Sequence, residues 1–179
     1  MREAELNRQA AQLRRAASER YRPEHVKVLL VGGQPPALLS RYFYFEDVDH
    51  HDGLFWDVVK ATTGELMSDR HEKPQYLAEL MALGVFLIDM KEDPTDPKPL
   101  ETHIDDLIER CRDLHAERII VIRPEVFDIA FIALRNAGLP VINRRIPFPT
   151  SGNELLFATA FAAALKQQPP TLEQGAGLP

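Results

Sequence analysis

Residues 26–36 have the sequence VKVLLVGGQPP, and their pattern indicates the fold class. The first six residues form a short, β-branched and almost continuously apolar run, which is typical of a strand buried on both faces of a parallel sheet. Similar runs follow at residues 85–88, 118–122 and 139–142, and patterns with helical spacing lie between them. This alternation predicts an α/β fold of three layers, α/β/α, in which helices cover a central four-stranded parallel sheet.

The size and composition of the chain fit one globular domain. It has 179 residues, of which 45% are hydrophobic and 27% are charged, and its single cysteine, Cys111, excludes a disulfide framework. No run approaches the roughly 20 apolar residues that cross a bilayer, and the N-terminus lacks the apolar stretch of a secretory signal. We therefore expect a cytoplasmic protein with no membrane partner. A net charge of -6 argues against a wide surface that coats nucleic acid.

Residues 1–24 are predicted to form a helix that docks on the main domain. An apolar stripe along this helix consists of Leu6, Ala10, Leu13 and Ala17. The arginines on its other faces, which we expect to be solvated, are Arg14, Arg15 and Arg20. Residues 25–167 are predicted to form a single α/β domain, and residues 168–179 have the composition of a flexible tail.

Ligands of open parallel sheets bind in the crevice beyond the carboxyl ends of the strands. The four segments that follow the predicted strands are therefore the first candidates for a binding site. They are residues 32–36, 89–91, 123–125 and 143–153.

The first of these segments combines Gly32 and Gly33 with two prolines. Glycines allow a ligand to approach the backbone, and prolines fix a turn and remove hydrogen-bond donors. The segment matches neither the phosphate-binding loop nor the dinucleotide-binding fingerprint. A tight turn without a ligand and a binding site are both consistent with this pattern.

The last segment places Arg144 and Arg145 beside a proline-rich turn, and Ser151 near the start of the last predicted helix. Hydroxyl groups and backbone N–H groups at a helix N-terminus suit an anion such as phosphate. An ordinary helix cap with two solvated arginines is the alternative.

An aromatic and acidic stretch separates the first strand from the next helix. Residues 41–45 have the sequence RYFYF, whose rings could stack on a base or fold back into the core. Residues 46–52 have the sequence EDVDHHD, whose carboxylates and imidazoles are potential metal ligands. They match no fixed metal spacing, so neither a metal nor another cofactor is predicted.

With these segments in place, residues 26–165 resemble the uracil-DNA glycosylase superfamily. Members of that superfamily carry Gly-Gln-Asp-Pro, Gly-Glu-Ala-Pro or Gly-x-Asn-Pro after the first strand, and residues 32–35 here are Gly-Gly-Gln-Pro. Their last motif, often His-Pro-Ser-Pro, is similar to Ile-Pro-Phe-Pro at residues 146–149. The resemblance implies a glycosylase that acts on DNA with a damaged or mismatched base, which is flipped out of the duplex.

The resemblance also implies roles for individual residues. Gln34 stands at the position of the water-activating residue and Asp89 at that of the base-reading Asn, which makes these two the candidate catalytic residues. The candidate contacts to the base are Gly32, Gly33, Pro35, Phe55, Trp56, Ile146, Pro147, Phe148 and Pro149. The candidate contacts to the DNA backbone are Lys91, Arg144, Arg145 and Ser151.

Three motif positions carry other chemical groups than in the superfamily, namely Gln34, Asp89 and Ile146. Gln34 is neutral, so it can orient a water molecule but cannot act as a general base. A protonated Asp89 can donate a hydrogen bond to a carbonyl or ring nitrogen of a base. An ionised Asp89 suits a base with an amino group, such as cytosine or adenine, better than uracil.

Three functions are consistent with this sequence. The first is hydrolysis of the N-glycosidic bond of a damaged or deaminated base. The second is a non-catalytic module on the same fold that binds nucleic acid, a nucleotide or a protein. The third is an unrelated small-molecule enzyme of flavodoxin-like architecture. A narrow pocket with Trp56 or Phe55 opposite Gln34 and Asp89, rimmed by basic charge, favours the first function. A filled or missing pocket favours the second, and a wide cleft that holds phosphate or a flavin favours the third.

Overall fold

The computed structural model describes residues 2–47, 53–64, 69–149 and 152–169. In these parts of the chain it contains six α-helices, three short 3₁₀-helices and three β-strands. The α-helices are α1 (Arg2–Arg20), α2 (Gly53–Thr63), α3 (Lys73–Ala82), α4 (Ile104–Asp113), α5 (Pro124–Asn136) and α6 (Glu154–Lys166). The strands are β1 (Val28–Gly32), β2 (Val85–Asp89) and β3 (Arg118–Val121).

The three strands form one parallel sheet in the order β2-β1-β3. Val28 of β1 pairs with Val85 of β2 and with Arg118 of β3, and this register brings Gly32 beside Asp89 at the carboxyl end. Because β2 and β3 lie on opposite sides of β1, the strand order reverses at β1. Such switch points are where open parallel sheets bind ligands.

The prediction of a fourth strand at residues 139–142 is wrong. Among the described residues, this segment makes a single parallel bridge, between Val141 and Ile119 of β3. The Ile119 N–H donates to the Pro140 carbonyl at 2.9 Å, and the Ile142 N–H donates to the Ile119 carbonyl at 2.8 Å. Pro140 has no N–H to donate, and the chain turns immediately after Ile142, so no longer ladder forms.

Helices flank this sheet, as the alternation of apolar patterns predicts. Side chains alternate between the two faces along a strand, and Leu29, Leu30 and Val31 of β1 are all fully buried. The helices contact one another in two groups, α2 with α3 and α6, and α4 with α5. Both faces of the central strand are therefore covered, which gives the chain an α/β fold.

Helix α1 contacts the rest of the molecule through a face that matches the predicted stripe only in part, since Ala17 packs against the core as expected. Leu6 and Leu13 were expected to pack on the main domain but are 60% and 53% exposed. Arg14 was expected to be solvated but is only 6% exposed, and its Nη2 donates to the carbonyls of Pro36 and Ala37 at 3.1 and 3.0 Å. The spacing of apolar residues shows which side chains share a face of the helix, but it does not reveal hydrogen bonds such as those of Arg14. For this reason the expectations for Leu6, Leu13 and Arg14 are wrong.

The C-terminal end of α1 is held by a second set of polar contacts. The Tyr21 hydroxyl donates to Glu46 Oε1 at 2.6 Å, and Arg20 Nη1 donates to the same oxygen at 2.7 Å. These two hydrogen bonds lower the pKa of the Glu46 carboxyl. Arg20 is therefore exposed but paired.

Two further expectations concern the ends of the fold and the membrane. The predicted tail at residues 168–179 falls almost entirely outside the described residues, which end at residue 169. None of the helices in the described ranges has the length and apolar character needed to span a bilayer.

Candidate functional site

A cavity of about 420 Å³ opens at the carboxyl ends of the strands. Its walls come from parts of the chain that are far apart in sequence. They are the turn at the end of β1 (residues 32–37), the aromatic segment at residues 41–43, the start of α2 (residues 53–54), the end of β2, Arg123 two residues after β3, and residues 148–149 before α6. The Gly-Pro turn, the carboxyl group at the end of β2 and part of the proline-rich segment therefore meet at one site.

The turn after β1 lies close to the ends of both neighbouring strands. The backbone pairing between β1 and β2 continues one residue past the end of β2, where the Met90 N–H donates to the Gly32 carbonyl at 2.9 Å. A Cβ atom on Gly32 would overlap with the Asp89 carboxyl group, and one on Gly33 would lie 3.3 Å from Arg123 Cδ. Glycine at these two positions therefore allows a carboxyl group and a guanidinium group to approach the turn.

Gln34 and Pro35 line the cavity from the same turn. Pro35 is buried and forms part of the wall, whereas Gln34 is exposed. The Gln34 amide is therefore accessible both to water and to a ligand in the cavity.

Asp89 carries the carboxyl group of this cavity, and its proton affinity is unusual. Burial raises its pKa from the usual 3.8 to about 7, although the positive charges of Arg123, Arg110 and Arg14 act in the opposite direction. With a pKa close to neutral pH, the carboxyl group can donate a proton in one state and accept a hydrogen bond in the other.

Arg110 of α4 also fixes the backbone that carries this carboxyl group. Its Nη1 donates to the Asp89 carbonyl and its Nη2 to the Met90 carbonyl, both at 2.8 Å. The two hydrogen bonds hold the end of β2 in place while the guanidinium charge stays near the carboxyl group.

The aromatic segment supplies the rings of the cavity through Tyr42 and Phe43. The next residue, Tyr44, anchors the segment on β2. Its hydroxyl accepts a hydrogen bond from the Leu87 N–H at 2.6 Å and donates to the Leu87 carbonyl at 2.9 Å. Because β2 is an edge strand, the hydroxyl satisfies backbone groups that would otherwise be unpaired. Burial raises the pKa of Tyr44 well above its usual value, so the hydroxyl keeps its proton.

The two rings that were predicted to stack on a base, Phe55 and Trp56, do not line the cavity. Phe55 is fully buried in the core, where it packs edge-on against Phe43 and lies beneath Lys73 Nζ at 4.6 Å. Trp56 packs edge-on between Phe55 and Tyr76. Helix α2 directs both rings into the packing between helices and sheet, and the aromatic rings of the 41–43 segment that line the cavity are Tyr42 and Phe43.

Only half of the proline-rich segment reaches the cavity. Phe148 and Pro149 line it, whereas Ile146 is fully buried in the core and Pro147 is partly buried outside the cavity. The predicted base contact of Ile146 is therefore wrong, whereas that of Pro147 stays a prediction for a residue outside this cavity. The guanidinium Cζ of Arg123 lies 3.9 Å from the centre of the Phe148 ring, an arrangement typical of a cation–π interaction.

The residues predicted to contact a DNA backbone are placed in different ways. Lys91 is buried, and its Nζ donates to the Lys98 carbonyl at 3.2 Å, so the prediction for Lys91 is wrong. Arg145 is exposed but forms a two-pronged ion pair with Asp128, with both N–O distances at 2.9 Å. Arg144 is exposed, and Ser151 lies outside the described residues.

Several residues of the cavity were not selected from the sequence. Tyr42 and Phe43 belong to an aromatic run that was noted, but nothing in the run shows which rings face a ligand. Arg123 lies two residues after the end of β3, so the rule that ligands bind beyond strand ends was the signal that could have identified it. Arg41 lines the mouth of the cavity and is exposed.

The acidic and histidine-rich stretch at residues 46–52 lies largely outside the described residues. Within the described ranges, no group of three or more His, Cys, Asp or Glu side chains is arranged to hold a metal ion.

Comparison of the chain with models of protein families and with curated proteins finds no match.

Proposed function

We propose that this cavity binds a nucleobase flipped out of DNA and that the chain hydrolyses its N-glycosidic bond, in the manner of the uracil-DNA glycosylase superfamily that the sequence resembles. One observation carries the proposal: the glycine turn, the Asp89 carboxyl group and the Phe148–Pro149 corner line the same 420 Å³ cavity at the switch point of the sheet. This volume lies within the range of small-ligand pockets, roughly 300–1,000 Å³.

The lining of the cavity suits a flat heterocycle. Tyr42 and Phe43 offer aromatic surface, and the Arg123 guanidinium stacked on Phe148 offers a second planar group. The polar groups needed to recognise the edge of a base are the Gln34 amide and the Asp89 carboxyl group. An aromatic cavity with a few converging polar groups is the usual construction of a small-molecule site.

Asp89 is the proposed general acid. Cleavage breaks the bond between the sugar and a base nitrogen, and the electron pair leaves with the base. A protonated Asp89 can transfer its proton to that base, which then departs neutral, and a pKa of about 7 suits such transfer at neutral pH. Gln34 orients the water whose oxygen bonds to the sugar carbon and whose proton is released.

The charge around the cavity is consistent with a limited contact to DNA. Arg41 and Arg123 line the cavity, and Arg123 Nη1 also donates to Glu125 Oε1 at 2.7 Å, whereas the chain as a whole carries a net charge of -6. Few phosphate contacts and an acidic surface imply weak binding that falls steeply with salt concentration.

The test uses duplex oligonucleotides that each contain one uracil, hypoxanthine, xanthine or alkylated base. We expect abasic sites to form with at least one of these bases, and we expect Asp89→Asn to abolish their formation. Asp47→Asn, which changes an exposed carboxyl group outside the cavity, is the matched control and should cleave normally. Specific binding without cleavage would favour the non-catalytic module, and the neutral Gln34 is the observation on its side. The absence of both binding and cleavage would refute the glycosylase and the non-catalytic module alike.

A further inference from the structure

Arg14 is buried although it belongs to the outer helix α1. It is 6% exposed, whereas the neighbouring Leu13 is 53% exposed. Its Nη2 donates to the carbonyls of Pro36 and Ala37, and its buried Nε makes no hydrogen bond to any described residue. Burying a charged group with an unsatisfied N–H is costly, so the position of Arg14 calls for an explanation beyond helix packing.

The two carbonyls that Arg14 contacts belong to the turn that lines the base cavity. Gln34 and Pro35 immediately precede them in the chain. A second cavity, of about 410 Å³, lies under α1 and shares Tyr42 and Asp89 with the first. Arg14 therefore stands on the far side of the wall that carries the polar groups of the site.

We propose, on the basis of the function proposed above, that Arg14 is a positioning residue: its guanidinium holds the turn that carries Gln34, and its charge acts on Asp89. It does not touch the base. The positive charges that act on the Asp89 carboxyl group are those of Arg14 from α1, Arg110 from α4 and Arg123 after β3, and each favours the ionised carboxylate. Glu92 and Asp93 also line the second cavity with Asp89, and Arg41 lines the first. Tyr42 also neighbours Asp89 and stays protonated, because burial raises its pKa to about 12.

Docking of α1 alone does not explain this arrangement. The end of α1 is already held by the Tyr21 and Arg20 bonds to Glu46. An apolar side chain at position 14 would contact the domain without leaving a buried N–H unsatisfied.

The test compares Arg14→Met, which removes charge and hydrogen bonds, with Arg14→Lys, which keeps the charge but not the planar fork. Arg8→Met on the exposed surface of α1 is the control. The pKa of Asp89 is measured by carboxyl-carbon NMR, and the mobility of residues 33–38 by amide hydrogen exchange. KM and kcat for cleavage of the best oligonucleotide are measured against pH.

In Arg14→Met we expect a higher pKa of Asp89, faster exchange of the turn, and a KM about tenfold higher. In Arg14→Lys we expect the pKa of Asp89 to return toward the wild-type value while the turn still exchanges faster. Arg8→Met should leave all three measurements unchanged.

Wild-type values of both the Asp89 pKa and the turn exchange in Arg14→Met would overturn the proposal. Equal loss of protection along α1 and the turn, with an unchanged Asp89 pKa, would also overturn it, because Arg14 would then be a helix anchor only. If the wild-type protein cleaves no oligonucleotide, the proposed function fails, but the NMR and exchange measurements still decide the role of Arg14. If Arg14→Met does not fold, Arg14→Gln, which removes the charge but keeps a polar side chain, replaces it in both measurements.

Discussion

Replacing Asp89 by asparagine should change how the stability of the protein depends on pH. Burial raises the pKa of Asp89 from 3.8 to about 7 in the folded protein, so the folded state holds this proton more tightly than the unfolded state. At about 1.4 kcal/mol for each pKa unit, deprotonation of Asp89 costs the folded state about 4 kcal/mol.

The pH range follows from the two pKa values. Below pH 3.8 both states are protonated and Asp89 costs nothing. The cost grows as the pH rises from 3.8 to about 7 and is constant above that. About 1 kcal/mol is already present at pH 4.5, so the wild-type protein should lose about 3 kcal/mol relative to Asp89→Asn between pH 4.5 and pH 8.

Urea unfolding of both proteins at several pH values between 4.5 and 8 measures this difference. Asp47→Asn, at an exposed carboxyl group, should give a free energy of unfolding that stays parallel to that of the wild type. Parallel curves for Asp89→Asn would refute the reasoning, because they would mean that burial does not perturb this carboxyl group. A wild-type protein that gains stability relative to Asp89→Asn with rising pH would show that the three arginines outweigh burial.

Four further outcomes are expected. Gly32→Ala should destabilise the fold by about 1–3 kcal/mol in urea unfolding, because its Cβ would overlap with the Asp89 carboxyl group. Tyr44→Phe should cost about 2 kcal/mol in the same assay, because it leaves the buried Leu87 N–H and carbonyl without partners. Arg123→Met should weaken binding of the base-containing duplex about tenfold in a fluorescence titration. The rate of base release should fall above pH 7, where Asp89 has lost its proton.

Two substitutions serve as controls for these outcomes. Gly53→Ala adds a Cβ with nothing within 4 Å and should leave the free energy of unfolding nearly unchanged, so a large loss there would remove the steric explanation for Gly32→Ala. Arg145→Gln removes an exposed arginine that is already paired with Asp128, and it should bind the duplex normally. Equal weakening in Arg145→Gln and Arg123→Met would indicate a general charge effect.

The sheet and the first turn could be predicted from the sequence because their signals are local. A β-branched apolar run followed by Gly32 and Gly33 specifies a buried strand and a close approach at its end, and both are present. The missing strand at residues 139–142 has a local cause too, since Pro140 lacks the N–H that a ladder needs. The prediction rested on the apolar run alone.

The rings of the site could not be chosen from the sequence alone. Residues 42–45 are all aromatic, so no periodicity separates those that face a ligand from those in the core. The separation arises because the Tyr44 hydroxyl pairs with Leu87 on the edge of β2, a contact between residues 43 positions apart. For Phe55 the helical spacing of α2 favoured the core, and the resemblance drew the prediction away from it.

The burial of Arg14 also could not be predicted from the sequence. Helical spacing ranks side chains by hydropathy, so it placed Leu13 inside and Arg14 outside, the reverse of the structure. Arg14 is buried because its guanidinium donates to the carbonyls of Pro36 and Ala37. Prolines fix this turn and remove N–H groups from it, so its carbonyls must accept hydrogen bonds from elsewhere.

The pKa of Asp89 results from a balance between burial, which raises it, and the positive charges of three arginines, which lower it. The arginines on α1, on α4 and after β3 lower the pKa to about 7 without forming a direct hydrogen bond to the carboxyl group among the described residues. Because these charges come from three separate elements, removing any one should raise the pKa of Asp89 while the other two maintain part of the effect. A site in which the pKa stayed at 7 after loss of any single arginine would require another source of stabilisation for the carboxylate.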